Sequence, residues 1–125
     1  MLAADQRLRD SNAFRRTVRS GRRAGGAALV VHLLLEGDGA PGPGPRVGLV
    51  VSKAVGNSVV RNRVKRRLRH VVRGYLSTLP ASAALVIRAL PPAARLSSSE
   101  LGADLARCLD RVGRGVPAAQ TGAAS

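Results

Sequence analysis

The stretch GLVVSKAVGNSVVRNRVKRRLR, residues 48–69, changes its hydrophobic period midway. Its first residues belong to an apolar run, Arg46 to Ser52, that reads as a strand. From Ser58 onward Val60, Val64, Leu68, Val71 and Tyr75 recur at helical spacing on one face. The spacing predicts a helix from Ser58 to about Leu79, where Pro80 stops it. At about 100° per residue, Asn62, Arg66, Arg69 and Arg73 form a stripe opposite the apolar face, flanked by Lys65 and Arg63. A merely solvated face would intersperse Glu among the bases. Here the like charges are unrelieved, and each such pair costs an isolated helix roughly 0.2–0.5 kcal/mol. The stripe therefore reads as a surface for a polyanion. Arg straddles a phosphate with two parallel hydrogen bonds, and Asn62 can donate to one group while accepting from a 2′-hydroxyl or base edge, which suits structured RNA.

The rest of the composition agrees. The 125 residues carry 21 Lys plus Arg against 7 Asp plus Glu, a formal charge of +14 that calls for a polyanionic partner. No acid lies between Asp38 and Glu100, while Arg46 to Arg73 holds nine basic residues. A gene rich in G and C would explain Arg over Lys, the only lysines being Lys53 and Lys65, but not the missing acids. A chain of this length has room for one domain of modest core, expected over residues 1–112, with 113–125 expected to be a disordered tail. The single cysteine, Cys108, excludes an internal disulfide, and no Cys/His spacing suits zinc. Met1 to Arg9 lacks the apolar core of a signal peptide, and no run approaches the roughly 20 apolar residues of a membrane span. A soluble, unprocessed, cytoplasmic protein is expected.

Working outward, Asp10-Ser11-Asn12 offers helix caps, Phe14, Thr17 and Val18 share a face, and Gly21 is a stop, so a short first helix is expected. Ala27 to Leu35 reads as a strand between Gly25-Gly26 and Gly37-Asp38-Gly39. The Gly, Ala and Pro of Gly37 to Pro45 predict a mobile hairpin loop to the next strand. Ala84 to Ala89 suits a third strand, ended by Pro91-Pro92. Ser97 and Glu100 have capping-box spacing, and Leu101, Leu105, Cys108, Leu109 and Val112 follow on one helical face. The order helix, strand, strand, helix, strand, helix predicts a small α+β two-layer sandwich with helices covering one sheet. A parallel pair across the long helix would by default cross over right-handed.

Taken whole, residues 48–69 resemble the signature of the bacterial ribonuclease P protein family, in which a strand ending in Ser-Lys leads through Gly-Asn into an Arg-Asn-Arg helix. Arg7-Leu8, Phe14 and Gly21 match the family's start, and the element order agrees to about Val112. The resemblance implies an unusual left-handed strand-helix-strand crossover, the fold of ribosomal protein S5 domain 2. It implies that the protein assists Mg²⁺-dependent removal of the 5′ leader from precursor tRNA, with the chemistry and Mg²⁺ carried mainly by a catalytic RNA. Lys53, Asn57, Arg61, Asn62, Arg63, Lys65, Arg66, Arg69 and Arg73 would bind that RNA. Phe14, Val18 and His32 would line a cleft for the single-stranded leader, although ordinary core packing explains Phe14 equally well, and a partly exposed edge or face position explains His32, which interrupts an apolar strand, as well as leader contact does. The chain departs from the family there: its only aromatics are Phe14 and Tyr75, Val18 and His32 stand where aromatics are common, and Ala54 replaces a second lysine. Stacking on leader bases is expected to be weaker.

The other readings are narrower. A ribosomal or RNA-chaperone protein would share the basic helix on a small sandwich. A DNA-binding module would need helix-turn-helix spacing, which the strands flanking the long helix deny. A membrane-surface helix could not also give its Val-rich face to a core. Seven scattered acids and two histidines assemble no metal cluster, nucleophile with base, or carboxylate pair. His70 reads as a polar group facing RNA or solvent, and Cys108 as core.

Overall fold

Two segments, LVVHLLL and AALVIRA, are apolar at nearly every position rather than at alternate ones, so both of their faces demand cover. They take the middle of the sheet. The computed structural model describes residues 11–35, 45–79 and 83–113. In chain order the elements are α1 (Ser11–Ser20), β1 (Arg22–Gly25), β2 (Leu29–Leu35), β3 (Arg46–Val51), α2 (Ser58–Arg73), β4 (Ala83–Ala89) and α3 (Ser98–Gly113), with short 3₁₀ turns at Leu76–Thr78 and Pro91–Arg95. The sheet runs β1-β2-β4-β3. β2 is antiparallel to both β1 and β4, and β3 is parallel to β4, with Val47 opposite Leu85 and Leu49 opposite Ile87. The α+β class and the parallel pair joined through α2 are as the sequence led one to expect.

Four expectations are corrected. Arg22–Gly25 is a strand, missed because RRAG has no apolar alternation; the Gly25-Gly26 pair marks the turn between β1 and β2 rather than the edge of a loop. The strand expected from Ala27 starts at Leu29. β2 and β3 are not hairpin partners, because β4 inserts between them and the two doubly apolar strands cover each other. The helix expected to reach Leu79 ends at Arg73: at the Gly74 cap the Gly74 N–H donates to the Val71 carbonyl and the Tyr75 N–H to the Val72 carbonyl, and the chain tightens into the 3₁₀ turn before Pro80. The linker 36–44, the first ten residues and the expected tail from 114 lie outside the described residues; Gly113 itself still belongs to α3.

Strand alternation assigns the layers. Leu29, Val31, Leu33, Val47, Leu85 and Ile87 share one face and form the core with Val64, Leu68 and Val72 of α2 and Leu101, Leu105, Cys108 and Val112 of α3. Val30, His32, Ala84 and Val86 point the other way and are buried as well. α1 packs on β2 and β4 and covers them, with Thr17 buried. The capping box forms as read: Ser97 N–H donates to Glu100 Oε1 (2.9 Å) and Glu100 N–H to Ser97 Oγ (3.2 Å).

α3 also clamps the β1–β2 turn. Asp104, 1% exposed, accepts from the N–H groups of Ala27 and Ala28, both at 3.0 Å, and pairs with Arg107 at 2.9 Å. Arg111 donates to the Gly25 carbonyl at 2.6 Å. A side chain on Gly26 would collide with the Asp104 carboxylate, so glycine is required there. Burial alone would raise the Asp104 pKa; the Ala28 and Ala27 N–H groups and Arg107 more than offset this and hold it below the ordinary 3.8. Asp104→Asn should cost about 1.5–3 kcal/mol near neutrality, read from urea unfolding. The folded carboxyl titrates below the unfolded one. Its stabilisation is therefore complete above about pH 5 and disappears as pH falls through the depressed value, so the gap between native chain and variant should close over that range.

Candidate nucleic-acid interface

A turn built without side-chain bulk aims α2. Val55 is buried and its N–H donates to Ser52, while Gly56 N–H donates to Lys53, so the chain reverses in four residues after β3. A Cβ on Gly56 would lie 2.8 Å from Val60 Cγ1, which leaves glycine as the residue that fits. Asn57 is the N-cap: its Oδ1 accepts from Val60 N–H at 2.9 Å, satisfying one of the helix's free donors. Arg61 Nε donates to the Gly56 carbonyl at 3.2 Å and braces the same turn. No acid occupies the first turn, so the positive end of the helix dipole adds to Lys53, which is exposed beside it.

Along α2 the core face takes Val64, Leu68 and Val72, each with no exposure. The opposite side holds a shallow concavity lined by Asn62, Arg66, Arg69, His70 and Arg73. Asn62, Arg66, His70 and Arg73 are exposed, and Arg69 and Lys65 half-buried. From Asn62 to Arg73 the stripe is about 16 Å long, at about 1.5 Å per residue. No acid lies anywhere on α2. The fold thus gathers Asn62, Arg66, Arg69 and Arg73 as read and adds His70. It sets Lys53 and Asn57 at the helix entrance. It turns Arg63 aside, with Nη2 donating to the Ala94 carbonyl at 3.2 Å, and Arg67 likewise, with Nη1 on Leu96 at 2.6 Å.

The leader-side residues divide differently. Phe14 and Val18 are half-buried on α1, while the exposed side of that helix carries Arg15, Arg16 and Arg19. His32 is only 5% exposed, in the middle of β2. The partial exposure expected from its place in an apolar strand is therefore corrected: β4 occupies the neighbouring position and α1 covers that face. Its Nδ1 has no partner, and burial, then Arg88, then Arg23, lower its pKa, so the imidazole is neutral at pH 7. Arg23, directly opposite on β1, and Arg88 on β4 are exposed and flank it. Sequence reasoning passed over this pair; the signal was two arginines placed among otherwise apolar or small strand residues.

The sequence model of the family described as Ribonuclease P matches residues 2–113. The Ribonuclease P protein component of a Nocardioides species is 60% identical over 113 residues, covering 90% of this chain and 96% of that relative. The Corynebacterium diphtheriae Ribonuclease P protein component is 51% identical over 117 residues, covering 91% and 98%. Among solved structures, the RNase P protein of Staphylococcus aureus aligns with a TM-score of 0.74 at 24% identity, covering 85% of this chain and 94% of that one. The Thermotoga maritima RNase P protein gives 0.68 at 22% identity, covering 86% and 96%. These two structural likenesses speak to the fold.

Proposed function

The chain belongs to the bacterial ribonuclease P protein family, and from that premise we propose that its α2 stripe binds the catalytic RNA while the α1 side of the sheet receives the 5′ leader of precursor tRNA. As a ribonuclease P protein component it is a subunit of a tRNA-processing ribonucleoprotein and partners the RNA subunit. The single observation that carries the finer reading is the exposed concavity of Asn62, Arg66, Arg69, His70 and Arg73 on a helix without one acid. Phosphate neutralisation supplies most of the affinity of such a surface, and Asn62 and the Arg forks orient it on structured RNA. With the stripe held by the catalytic RNA, Phe14 and Val18 on the far side of the sheet remain available to an unpaired leader, and Arg23 and Arg88 add charge beside them.

In this reading the protein supplies grip and shields phosphate repulsion, and the RNA carries the hydrolysis. Three of the described ionisable groups are engaged in structure: Glu100 in a helix cap, Asp104 in the β1–β2 turn, and Cys108 in the core, where burial first and Asp104 second push its thiol up. Among the described residues no group of three or more His, Cys, Asp or Glu could hold a metal ion. The described residues do not fit Mg²⁺, and the ion belongs in this proposal mainly to the RNA. A cytoplasmic setting is part of the same proposal; among the described residues no helix is long and apolar enough to cross a membrane.

Two outcomes are expected. Arg66→Ala with Arg69→Ala should keep the melting temperature while lowering the log-log salt slope of RNA-subunit binding by roughly 0.7–0.9 per residue; an unchanged slope would return the stripe to solvent. Phe14→Ala should weaken binding of precursor tRNA with a leader by about 1–3 kcal/mol and leave mature tRNA unaffected. A stable variant that binds both forms like the native chain would remove Phe14 from the substrate surface.

A further inference from the structure

α2 carries a second set of arginines that does not face the stripe. Arg63 and Arg67, one turn apart, lie about 100° and 140° around the helix from Asn62. Both are half-buried. Their guanidiniums reach the segment that leads from β4 into α3: Arg63 Nη2 to the Ala94 carbonyl at 3.2 Å, and Arg67 Nη1 to the Leu96 carbonyl at 2.6 Å. That segment is a 3₁₀ turn closed by its own bonds, Ala93 N–H to Leu90 and Leu96 N–H to Ala93. The carbonyls of Ala94 and Leu96 point outward to α2. Arg63 Nε is buried without a partner, so the head group is embedded against the protein rather than extended to solvent.

We infer that Arg63 and Arg67 are positioning residues for RNA binding: through the Ala94 and Leu96 carbonyls they fix the roll and seat of α2 so that the stripe faces the RNA. The inference rests on the assignment of the stripe to the catalytic RNA and divides the Arg-Asn-Arg motif by task. Asn62 faces the partner, Arg61 braces the entrance turn through the Gly56 carbonyl, and Arg63 braces the helix body. The physical need is plain. The core residues under α2 are Val and Leu, whose contacts resist separation but specify rotation poorly, whereas a charged hydrogen bond is directional. Two of them, anchored 31 and 29 residues away in sequence, resist rolling of the helix. Arg suits the task better than Lys because its planar fork loses less freedom per bond formed.

The test compares two variants that each remove two positive charges, Arg63→Gln/Arg67→Gln and Arg66→Gln/Arg69→Gln, in binding to the ribonuclease P RNA over a salt series. The stripe variant should lose slope, by roughly 1.4–1.8 in total. The brace variant should keep the native slope and bind about tenfold more weakly at every salt concentration, because the stripe is no longer held square to the RNA. Equal loss of slope in both variants would make Arg63 and Arg67 phosphate contacts and overturn the inference. Native affinity in a folded brace variant would overturn it too. An unchanged slope in the stripe variant would instead remove the RNA reading of the stripe, a separate failure. Should the brace variant not fold, the native ¹⁵N-labelled chain decides: the Arg63 and Arg67 guanidinium signals should stay in place when RNA is added while those of Arg66 and Arg69 move. Brace signals that move as far as the stripe's would contradict the assignment.

Discussion

Burial of one face of α2 makes everything else possible. The helix places Lys65 and Arg69, Arg66 and Arg69, and Arg69 and Arg73 within one turn of each other, and each like-charged pair opposes helix formation by roughly 0.2–0.5 kcal/mol. Against this stand Val64, Leu68 and Val72, fully buried between β3 and α3, each contributing roughly 1.5–3 kcal/mol. The apolar side outweighs the charge by several-fold. A helix that is electrostatically unfavourable alone is thus held rigidly by the core, and its charges stay presented without acids to neutralise them. A freely solvated peptide of the same sequence would have no such support.

The same economy shapes the other elements. The doubly apolar strands claim the sheet centre and leave the arginine-bearing β1 and β3 at its edges. α3 gives one face to the core and, at its border, uses Asp104 and Arg111 to hold the β1–β2 turn. Glu100 and Asp104 are taken up in local structure on α3, away from the stripe, so they do not relieve its positive field. The opposite face of the sheet is covered by the short α1, where the one Phe of the chain stands among arginines. That layering sets the α2 stripe and the α1 arginines on opposite sides of one sheet.

What the sequence made legible was local or periodic. The valine and leucine repeat of α2, its basic stripe, the Ser97–Glu100 cap and the burial of Cys108 each follow from spacing within a dozen residues. What escaped it was decided across the chain. β1 has four residues and no alternation to read. The insertion of β4 between β2 and β3 depends on partners some fifty residues apart, Leu33 opposite Leu85. Asp104 lies about 70° from the centre of the buried face of α3, a hint of burial, but its partners are 76 and 77 residues away. Arg63 and Arg67 look in sequence like further members of a basic run; only the Ala94 and Leu96 carbonyls distinguish them. The burial of His32 is invisible in sequence because the cover from α1 has no signature in the strand itself.

The central claim is that this charged helix is built for one structured RNA rather than for polyanions in general. The most direct test is recovery of the native chain from its own cells at physiological salt, with sequencing of the RNA that accompanies it. The account predicts a single dominant RNA of a few hundred nucleotides, whose association is lost in the Arg66→Ala/Arg69→Ala variant. Recovery of ribosomal RNA as the main species, or of a broad mixture in proportion to abundance, would contradict it.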